Sequence, residues 1–369
     1  MDSNAPRPTN SPIWAASGRQ SLSRRRWVVS LALLVLLLLL FGGTSTLALV
    51  DPPSTIVCVV YDRDIAAIIS QVTTQTLEYE LNGLTGERPV VVSGSPVTIV
   101  SRKTYIDKEM RLATQYAYEQ FTSFGLDTAF HNYVWTADWA SGQRFLPRSR
   151  PTCASRNVVA EKPGLVDPAR IYLLTAHIDD MPAGPRAPGA DDNASGSITI
   201  LTAARLLAPH DFAYTIRFVL FTGEEQGLHG SAAYAGDCAA QGQDIRGVVN
   251  LDMIAYNSDP EPIIDLYTSR DVPGSVELVR DFSSVITIYG LNLIPHRFDD
   301  PISGFTYRSD QGSFLARSYP AMLVIEDWDD HTPHYHKVSD RVSTLDLDYY
   351  ADVVRAAIAA IVYLAVPLQ

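Results

Sequence analysis

Two adjacent glutamates, Glu224 and Glu225, follow an apolar run that has the length and composition of a buried strand. The run is TIRFVLFT, residues 215–222, and a glycine separates it from the glutamates. Adjacent carboxylates repel each other, and the end of a buried strand is a costly place for either charge. A bound cation would remove that cost. The pair therefore predicts that one glutamate binds metal while its neighbour stays off the metal and transfers a proton.

Other acids and imidazoles also follow predicted strands or lie in loops between elements. Ligands bind beyond the carboxyl ends of the strands in an open α/β sheet, so we expect these side chains to converge on one crevice. The side chains are His177 and Asp179 in AHIDD, Asp191 and Asp192 in PGADDNASG, Asp252 in VVNLDM, and His336 in HTPHYHKVSD. His331 and His334 are expected to belong to a solvated loop.

The donor types indicate which metal such a crevice would hold. Imidazole nitrogen and carboxylate oxygen without thiolate suit zinc in a catalytic site, or manganese or cobalt. Several carboxylates with two histidines are enough for two ions. Two ions a few ångströms apart can ionise a water together and polarise a carbonyl.

Strands alternate with helices from about residue 101 onward, which predicts an α/β fold. We expect a three-layer sandwich with a mostly parallel (mixed) central sheet flanked by helices, preceded by an N-terminal hydrophobic helix. The predicted strands are residues 157–161, 171–176, 215–222, 248–253 and 321–326. The predicted helices are residues 112–125, 194–208, 228–235, 275–289 and 347–364.

The first hundred residues are expected to form three regions before a catalytic domain at 101–369. Residues 1–23 are polar and aperiodic, which predicts a disordered tail. In residues 24–50, three arginines precede WVVSLALLVLLLLLF. This pattern predicts a signal anchor or a cleaved signal peptide, and both place the catalytic domain outside the cytosol, membrane-anchored or secreted. Residues 51–100 predict a lead-in, with a helix over 65–84 followed by two strands.

Composition excludes some classes of function. The formal net charge is -12, so nucleic-acid binding is not expected, because phosphate contacts need clustered Lys and Arg. The cysteines are Cys58, Cys153 and Cys238, with no CxxC pair, which argues against a thiolate zinc site. Cys153 and Cys238 could form a disulfide outside the cytosol, but their spacing does not decide it.

Five ordered segments, AHID, PGADDNASG, FTGEEQGLHGS, NLDMIAY and PHYHKVSD, together resemble the M28 family of dinuclear zinc aminopeptidases. The resemblance covers roughly residues 101–369 and implies a role for each motif residue. His177 and Asp252 would bind one zinc, Glu225 and His336 would bind the other, and Asp191 would bridge the two ions. Glu224 would be the general base, and Asp179 would hold the His177 ring. Tyr335 would help stabilise the oxyanion.

Two departures from the family pattern stand out. Members often have HYDS where this chain has HIDD, with Ile178 and Asp180; this difference changes neither ligand and is expected to alter the pocket wall. The segment RSDQGSF, residues 308–314, carries Gln311 where the family has a histidine. Glutaminyl cyclases share the fold but resemble a mononuclear site, whereas the full motif set here favours hydrolysis.

The resemblance implies a metallo-aminopeptidase that acts on peptides with a free N-terminus. One alternative is a different reaction on the same scaffold, such as carboxypeptidase, deacylase or cyclase chemistry. Another is a non-enzymatic receptor-like domain, although such a domain need not retain a complete set of ligands.

Overall fold

The computed structural model describes residues 59–104, 107–136, 152–182, 186–302 and 308–368. The predicted N-terminal hydrophobic helix, with the regions 1–23 and 24–50, lies outside these residues. Within the described ranges, every helix is too short or too polar to cross a lipid bilayer.

The described strands form a two-stranded hairpin and an eight-stranded mixed sheet. The hairpin consists of β1 and β2, and the large sheet has the order β3-β4-β6-β5-β7-β10-β8-β9. The bounds are β1 Val90–Val92, β2 Ser95–Val97, β3 Asp127–Thr136, β4 Thr152–Lys162, β5 Asp167–His177, β6 Tyr214–Phe221, β7 Asp244–Leu251, β8 Ile263–Ser269, β9 Ile294–Asp300 and β10 Ala321–Glu326.

The centre of the sheet is parallel, and this gathers the motif residues at one edge. β6, β5, β7 and β10 are neighbours and run in the same direction, so their carboxyl ends lie side by side. These strands are buried on both faces because both of their alternating residue sets are apolar. In β6, for example, Phe218 and Leu220 belong to one core cluster and Val219 and Phe221 to another.

Helices cover both faces of the sheet, which confirms the predicted three-layer sandwich. On one face lie α3, α4, α6 and α8, with α1 and α2 packed outside them, and on the other face lie α5 and α7. The bounds are α1 Arg63–Ile69, α2 Thr74–Leu84, α3 Asp107–Ser123, α4 Gly196–Leu207, α5 His229–Ala240, α6 Ser275–Ile288, α7 Gln311–Leu315 and α8 Leu347–Ala365.

The single helix predicted over residues 65–84 is two helices in the structure. α1 ends at Ile69, and Thr73 starts α2 by accepting a hydrogen bond from the backbone N–H of Thr76. A threonine that caps a helix in this way fixes a new N-terminus, although the apolar spacing continues through it. Both helices bury apolar side chains in the core cluster that contains α8.

Three strands of the sheet, β3, β8 and β9, were not predicted. Two of them are the edge strands of the described sheet, β3 and β9, and their faces alternate only weakly between apolar and polar. Edge strands are stabilised by backbone pairing more than by burial, so their sequences carry a weaker signal. Cys153 on β4 and Cys238 on α5 are both free thiols, so the possible disulfide is not formed.

Candidate metal centre

His177, the last residue of β5, lies at the carboxyl edge of the sheet with its side chain 1% exposed. Its Nδ1 atom is 3.2 Å from the backbone oxygen of Asp179 and 3.6 Å from Asp179 Oδ1. Its Nε2 atom is 3.1 Å from Oδ1 of Asp252, which directly follows β7. The structure therefore brings these three residues together, with one imidazole nitrogen held by Asp179 and the other directed at Asp252.

Asp179 also holds the turn that carries the adjacent glutamates. Its Oδ2 atom accepts hydrogen bonds from the Thr104 hydroxyl at 2.7 Å and from the Gly223 N–H at 3.0 Å. Its Oδ1 atom accepts a hydrogen bond from the Glu224 N–H at 3.3 Å. One buried carboxylate thus fixes both the His177 ring and the backbone after β6.

The two adjacent glutamates belong to different groups of ligand-type side chains. Glu224 lies with His177 and Asp252, and Glu225 lies with Asp192 and His336. In each group, one ligand atom per residue lies within 4.8 Å of the others. The arrangement places each of the neighbouring carboxylates beside a different imidazole, Glu224 with His177 and Glu225 with His336.

Asp192, rather than the predicted Asp191, lies between the two groups. Asp192 Oδ1 is 3.4 Å from His177 Nε2, and Asp192 Oδ2 is 3.3 Å from His336 Nε2. The Asp191 carboxylate points elsewhere and accepts a hydrogen bond from the Ala255 N–H at 2.9 Å. The bridging position predicted from the sequence is therefore corrected by one residue, because the backbone turn at residues 190–195 directs neighbouring side chains to different sides.

The turn that carries Asp192 is held from outside by Asp340, which the sequence analysis did not select. Asp340 Oδ1 accepts the N–H of Asp191 at 2.9 Å, and its Oδ2 accepts the N–H of Asp192 at 3.1 Å. Arg102, which is fully buried, donates to the backbone oxygens of Pro188 at 2.5 Å and Gly189 at 2.7 Å. These contacts fix the backbone on both sides of Asp191.

Burial and mutual repulsion keep protons on this cluster when no cation is bound. Burial raises the pKa of Asp192 to about 7, and the neighbouring Glu225 adds to the shift. Burial likewise raises the pKa values of Glu224 and Glu225. Burial alone would lower the pKa of His336, but Asp192 and Glu225 outweigh it and raise the pKa to about 10. A divalent cation would reverse these shifts, since it favours carboxylates and neutral imidazoles.

The donor set fits a pair of cations. Each group contains one imidazole and two carboxylates. The Asp192 carboxylate has one oxygen 3.4 Å from His177 Nε2 and the other 3.3 Å from His336 Nε2. Within the described chain, Glu225 Oε1 is buried without a hydrogen-bond partner. Unpaired buried polar atoms are costly, and coordination to a metal would satisfy them.

Two further buried acids beside the centre were missed. Asp310, next to Gln311, is fully buried. Burial raises its pKa to about 7, and the negative charges of Asp179 and Asp252 add to this shift, whereas His177 acts to lower the pKa. Glu326 ends β10 and accepts the N–H of Thr332 at 2.7 Å. A signal for Glu326 was present, because it is the last residue of a predicted strand.

The remaining predicted residues divide into those near the centre and those away from it. Tyr335 is 38% exposed and its ring stacks on His336 with 3.8 Å between centroids. His331 stacks on Trp328, and His334 Nδ1 lies 3.0 Å from the Ser339 hydroxyl, so both lie outside the two groups. Gln311 begins α7 and is likewise in neither group.

A cavity of about 280 Å³ opens beside the centre. Its lining combines the carboxylates and His177 with side chains that are mainly apolar and aromatic. The apolar and aromatic lining residues are Met253, Tyr267, Leu323, Ile325, Trp328 and Tyr335. Tyr267 comes from β8, one of the strands that were not predicted.

Solved structures with the same fold include aminopeptidases from two bacteria. The LapA aminopeptidase of Legionella pneumophila aligns with a TM-score of 0.63 and 21% identity over 86% of this chain and 79% of that chain. The aminopeptidase from Aneurinibacillus sp. strain AM-1 aligns with a TM-score of 0.61 and 18% identity over 83% of this chain and 97% of that chain. At these identities the likeness concerns the fold alone.

Among curated proteins, leucine aminopeptidase 1 of Trichophyton equinum is 30% identical over 232 residues, which are 58% of this chain and 60% of that protein. The chain thus matches little more than half the length of such relatives. The family model for peptidase family M28 matches residues 157–361, more than half of the 369 residues and the part that contains both ligand groups. On that match, the chain belongs to peptidase family M28.

Proposed function

We propose that the protein is a zinc-dependent aminopeptidase that removes N-terminal residues from peptides. The observation that carries this proposal is the position of Asp192 between two groups that each contain a histidine and a glutamate. Proteins of similar sequence or fold are named leucine aminopeptidase and aminopeptidase, which supports the same substrate class.

The ligand assignment follows from which atoms converge. His177 and Asp252 would hold one ion, Glu225 and His336 would hold the second, and Asp192 would contact both. Nitrogen and oxygen donors without thiolate favour zinc, and manganese or cobalt could substitute. Asp179 would keep the His177 ring oriented through its contact with Nδ1.

Zinc ions, when bound, would polarise the scissile carbonyl and help to ionise the attacking water. Glu224 lies beside the first group and would accept the proton of that water, then deliver it to the leaving amine. Burial raises the pKa of Glu224, which favours its uptake of the proton from that water. Burial also raises the pKa of the Tyr335 phenol, which keeps the hydroxyl protonated and able to donate to the developing oxyanion.

The cavity favours action at a peptide end. Its volume of about 280 Å³ is near the lower limit of small-molecule sites, so it suits one or two residues and not a long chain. The free amine would lie beside the carboxylates, and the first side chain at the apolar lining. Peptides with a free N-terminus are therefore the expected substrates, instead of acylated amines or internal peptide bonds.

The proposed base is tested by Glu224→Gln, which keeps the shape of the side chain and removes its capacity to accept a proton. We expect turnover of a leucine anilide to fall by at least about a thousandfold while zinc content stays near the wild-type value. Free and N-acetylated peptides assayed in parallel separate aminopeptidase from deacylase action. Retained activity in the variant would refute the role of Glu224.

The proposed site of action is outside the cytosol. It rests on the arginines and apolar run in residues 24–50, which would anchor the chain in a membrane or direct its secretion. Fractionation of cells that express the full chain, with protease added to intact cells, tests this. Protection of the catalytic domain from the added protease would contradict it.

A further inference from the structure

A buried carboxylate outside both ligand groups, that of Asp265, contacts two aromatic residues that line the cavity. Asp265 lies on β8 and is 3% exposed. Its Oδ2 atom accepts hydrogen bonds from the Tyr267 hydroxyl and from the Trp328 N–H, each at 3.2 Å. We infer that Asp265 is a positioning residue that sets substrate specificity by holding these two aromatic residues at the cavity. This inference rests on the proposed aminopeptidase function and concerns the choice of N-terminal side chain.

The register of the sheet explains why one carboxylate reaches both aromatic residues. β8 and β10 are antiparallel, with Asp265 opposite Ile325 and Tyr267 opposite Leu323. Side chains two positions apart on a strand point to the same face, so Asp265 and Tyr267 share the face of β8 that borders the cavity. Trp328 follows shortly after the end of β10, where its N–H meets the same carboxylate. One oxygen atom therefore joins β8 to the loop after β10.

The two aromatic residues depend on this contact more than the aliphatic lining does. The lining residues of β10 are held by backbone pairing, whereas Trp328 lies beyond that strand, in the single 3₁₀ turn Trp328–Asp330. The Tyr267 ring stacks on Phe298 of β9 with 4.4 Å between ring centroids, and its hydroxyl donates to the shared oxygen. Loss of that oxygen would remove a hydrogen bond from each aromatic residue and favour movement of both away from the cavity.

Both hydrogen bonds converge on one oxygen, which allows positioning to be separated from charge. The other oxygen, Oδ1, lies 3.8 Å from Nδ1 of His296 and has no hydrogen-bond partner within the described ranges. An asparagine amide oxygen can therefore take the place of Oδ2, with its NH₂ group on the side of His296. Asp265→Asn removes the negative charge and keeps the acceptor, whereas Asp265→Leu removes both.

The experiment measures kcat and KM for a leucine anilide and an alanine anilide with wild-type enzyme and both Asp265 variants. For Asp265→Leu we expect KM for the leucine anilide to rise about tenfold with kcat within about threefold, because side-chain binding is weakened and the metal centre is not touched. The alanine anilide has only a methyl group to bury, so its KM should change by less than about threefold. Asp265→Asn should match wild-type enzyme within about threefold for both substrates.

Each competing interpretation predicts a different result. If the negative charge of Asp265 attracted the substrate amine, Asp265→Asn would lose activity as Asp265→Leu does, and for both substrates. If Asp265 only stabilised the fold, Asp265→Leu would lower the Tm and leave the ratio of the leucine and alanine KM values unchanged. Either result would overturn the inference and leave the aminopeptidase proposal intact.

The matched control is Asp62→Leu, because Asp62 also accepts two backbone N–H groups, at the N-terminus of α1 and outside the cavity lining. It should lower the Tm and leave both KM values unchanged. If Asp265→Leu does not fold, Tyr267→Phe removes one of the two donors and should raise KM for the leucine anilide alone by about threefold; an unchanged KM there would overturn the inference. Wild-type enzyme that cleaves neither anilide would overturn the aminopeptidase proposal, and the inference with it.

Discussion

At the scale of single residues, the apolar lining of the cavity offers a surface for an apolar side chain of the proposed substrate. Met253, Leu323 and Ile325 form a small buried cluster, with Tyr267 and Trp328 packed against it. Leu323 and Tyr267 are register partners in the antiparallel β10–β8 pair, so the sheet fixes the position of this lining. Burial of an apolar substrate side chain here contributes about 25 cal/mol per Å².

Ile325→Trp should narrow this space. We expect kcat/KM for a leucine anilide to fall about tenfold or more, because the larger ring occupies volume needed by the leucine side chain, while an alanine anilide changes by less than about threefold. Steady-state kinetics with both substrates measure the difference, and zinc content checks that the centre is intact. Equal losses for leucine and alanine substrates would show that Ile325 does not shape the pocket.

Residue positions at strand ends could be predicted from the sequence, whereas positions inside a turn could not. His177, Glu225 and Asp252 were located correctly beside the centre because a parallel sheet brings the carboxyl ends of its strands together. Asp191 and Asp192 are identical neighbours, and only the backbone path of their turn decides which carboxylate faces the histidines. That path depends on the hydrogen bonds of Asp340, which lies far away in sequence.

At the scale of elements, the turn at residues 190–195 depends on contacts from another loop. Both carboxylate oxygens of Asp340 accept N–H groups, from Asp191 and Asp192, and the Asp340 side chain is buried. An amide side chain could accept only one of these bonds, because its NH₂ group is a donor and would face the other N–H. The turn would then hold the Asp192 carboxylate less firmly.

Asp340→Asn is therefore expected to weaken zinc binding by about tenfold to a hundredfold. Competition with a fluorescent chelator measures this affinity directly. Asp346→Asn is the matched control, because Asp346 caps the N-terminus of α8 and asparagine caps a helix about as well as aspartate, so stability and zinc affinity should both stay near the wild-type values. Unchanged zinc affinity in Asp340→Asn would mean that the turn keeps its shape without this contact.

Among elements, the strands at the parallel centre of the sheet and the long helices were predictable, whereas the edge strands and the buried strand β8 were not. β5 and β6 each contain a largely apolar, buried stretch, and α8 buries most of its length, so local composition was sufficient for these elements. β9 alternates weakly because it lies at the edge of the described sheet and has mostly exposed residues. Its pairing with β8 depends on tertiary contacts that local sequence does not encode.

At the scale of the whole molecule, the fold buries several acidic side chains close together. This arrangement lowers the stability of the folded protein when no cations are bound. Asp192 and Asp310 have pKa values raised to about 7, chiefly by burial, and Glu224, Glu225 and Glu326 are raised in the same direction. A carboxyl group whose pKa is raised by folding stabilises the folded state while protonated. That contribution is lost as the pH rises through the raised pKa.

Metal-free protein should therefore lose stability as the pH rises from about 5 to 8, and zinc should remove most of that dependence. We expect the Tm of chelator-treated protein to be roughly 5 °C lower at pH 8 than at pH 5.5, and zinc to raise it most at pH 8. Calorimetric scans at both pH values, with and without zinc, give the comparison. A metal-free Tm that is the same or higher at pH 8 would contradict the account of the acidic cluster.

The central claim is that Asp192 holds two cations between His177 and His336, and metal counting tests it most directly. Wild-type protein, Asp192→Asn and Asp191→Asn should be purified, equilibrated with zinc, desalted and measured by plasma mass spectrometry against protein concentration. The account predicts about two zinc ions per chain for wild type and Asp191→Asn, and at most about one for Asp192→Asn. Two ions in Asp192→Asn, or no more than one in the wild-type protein, would contradict it.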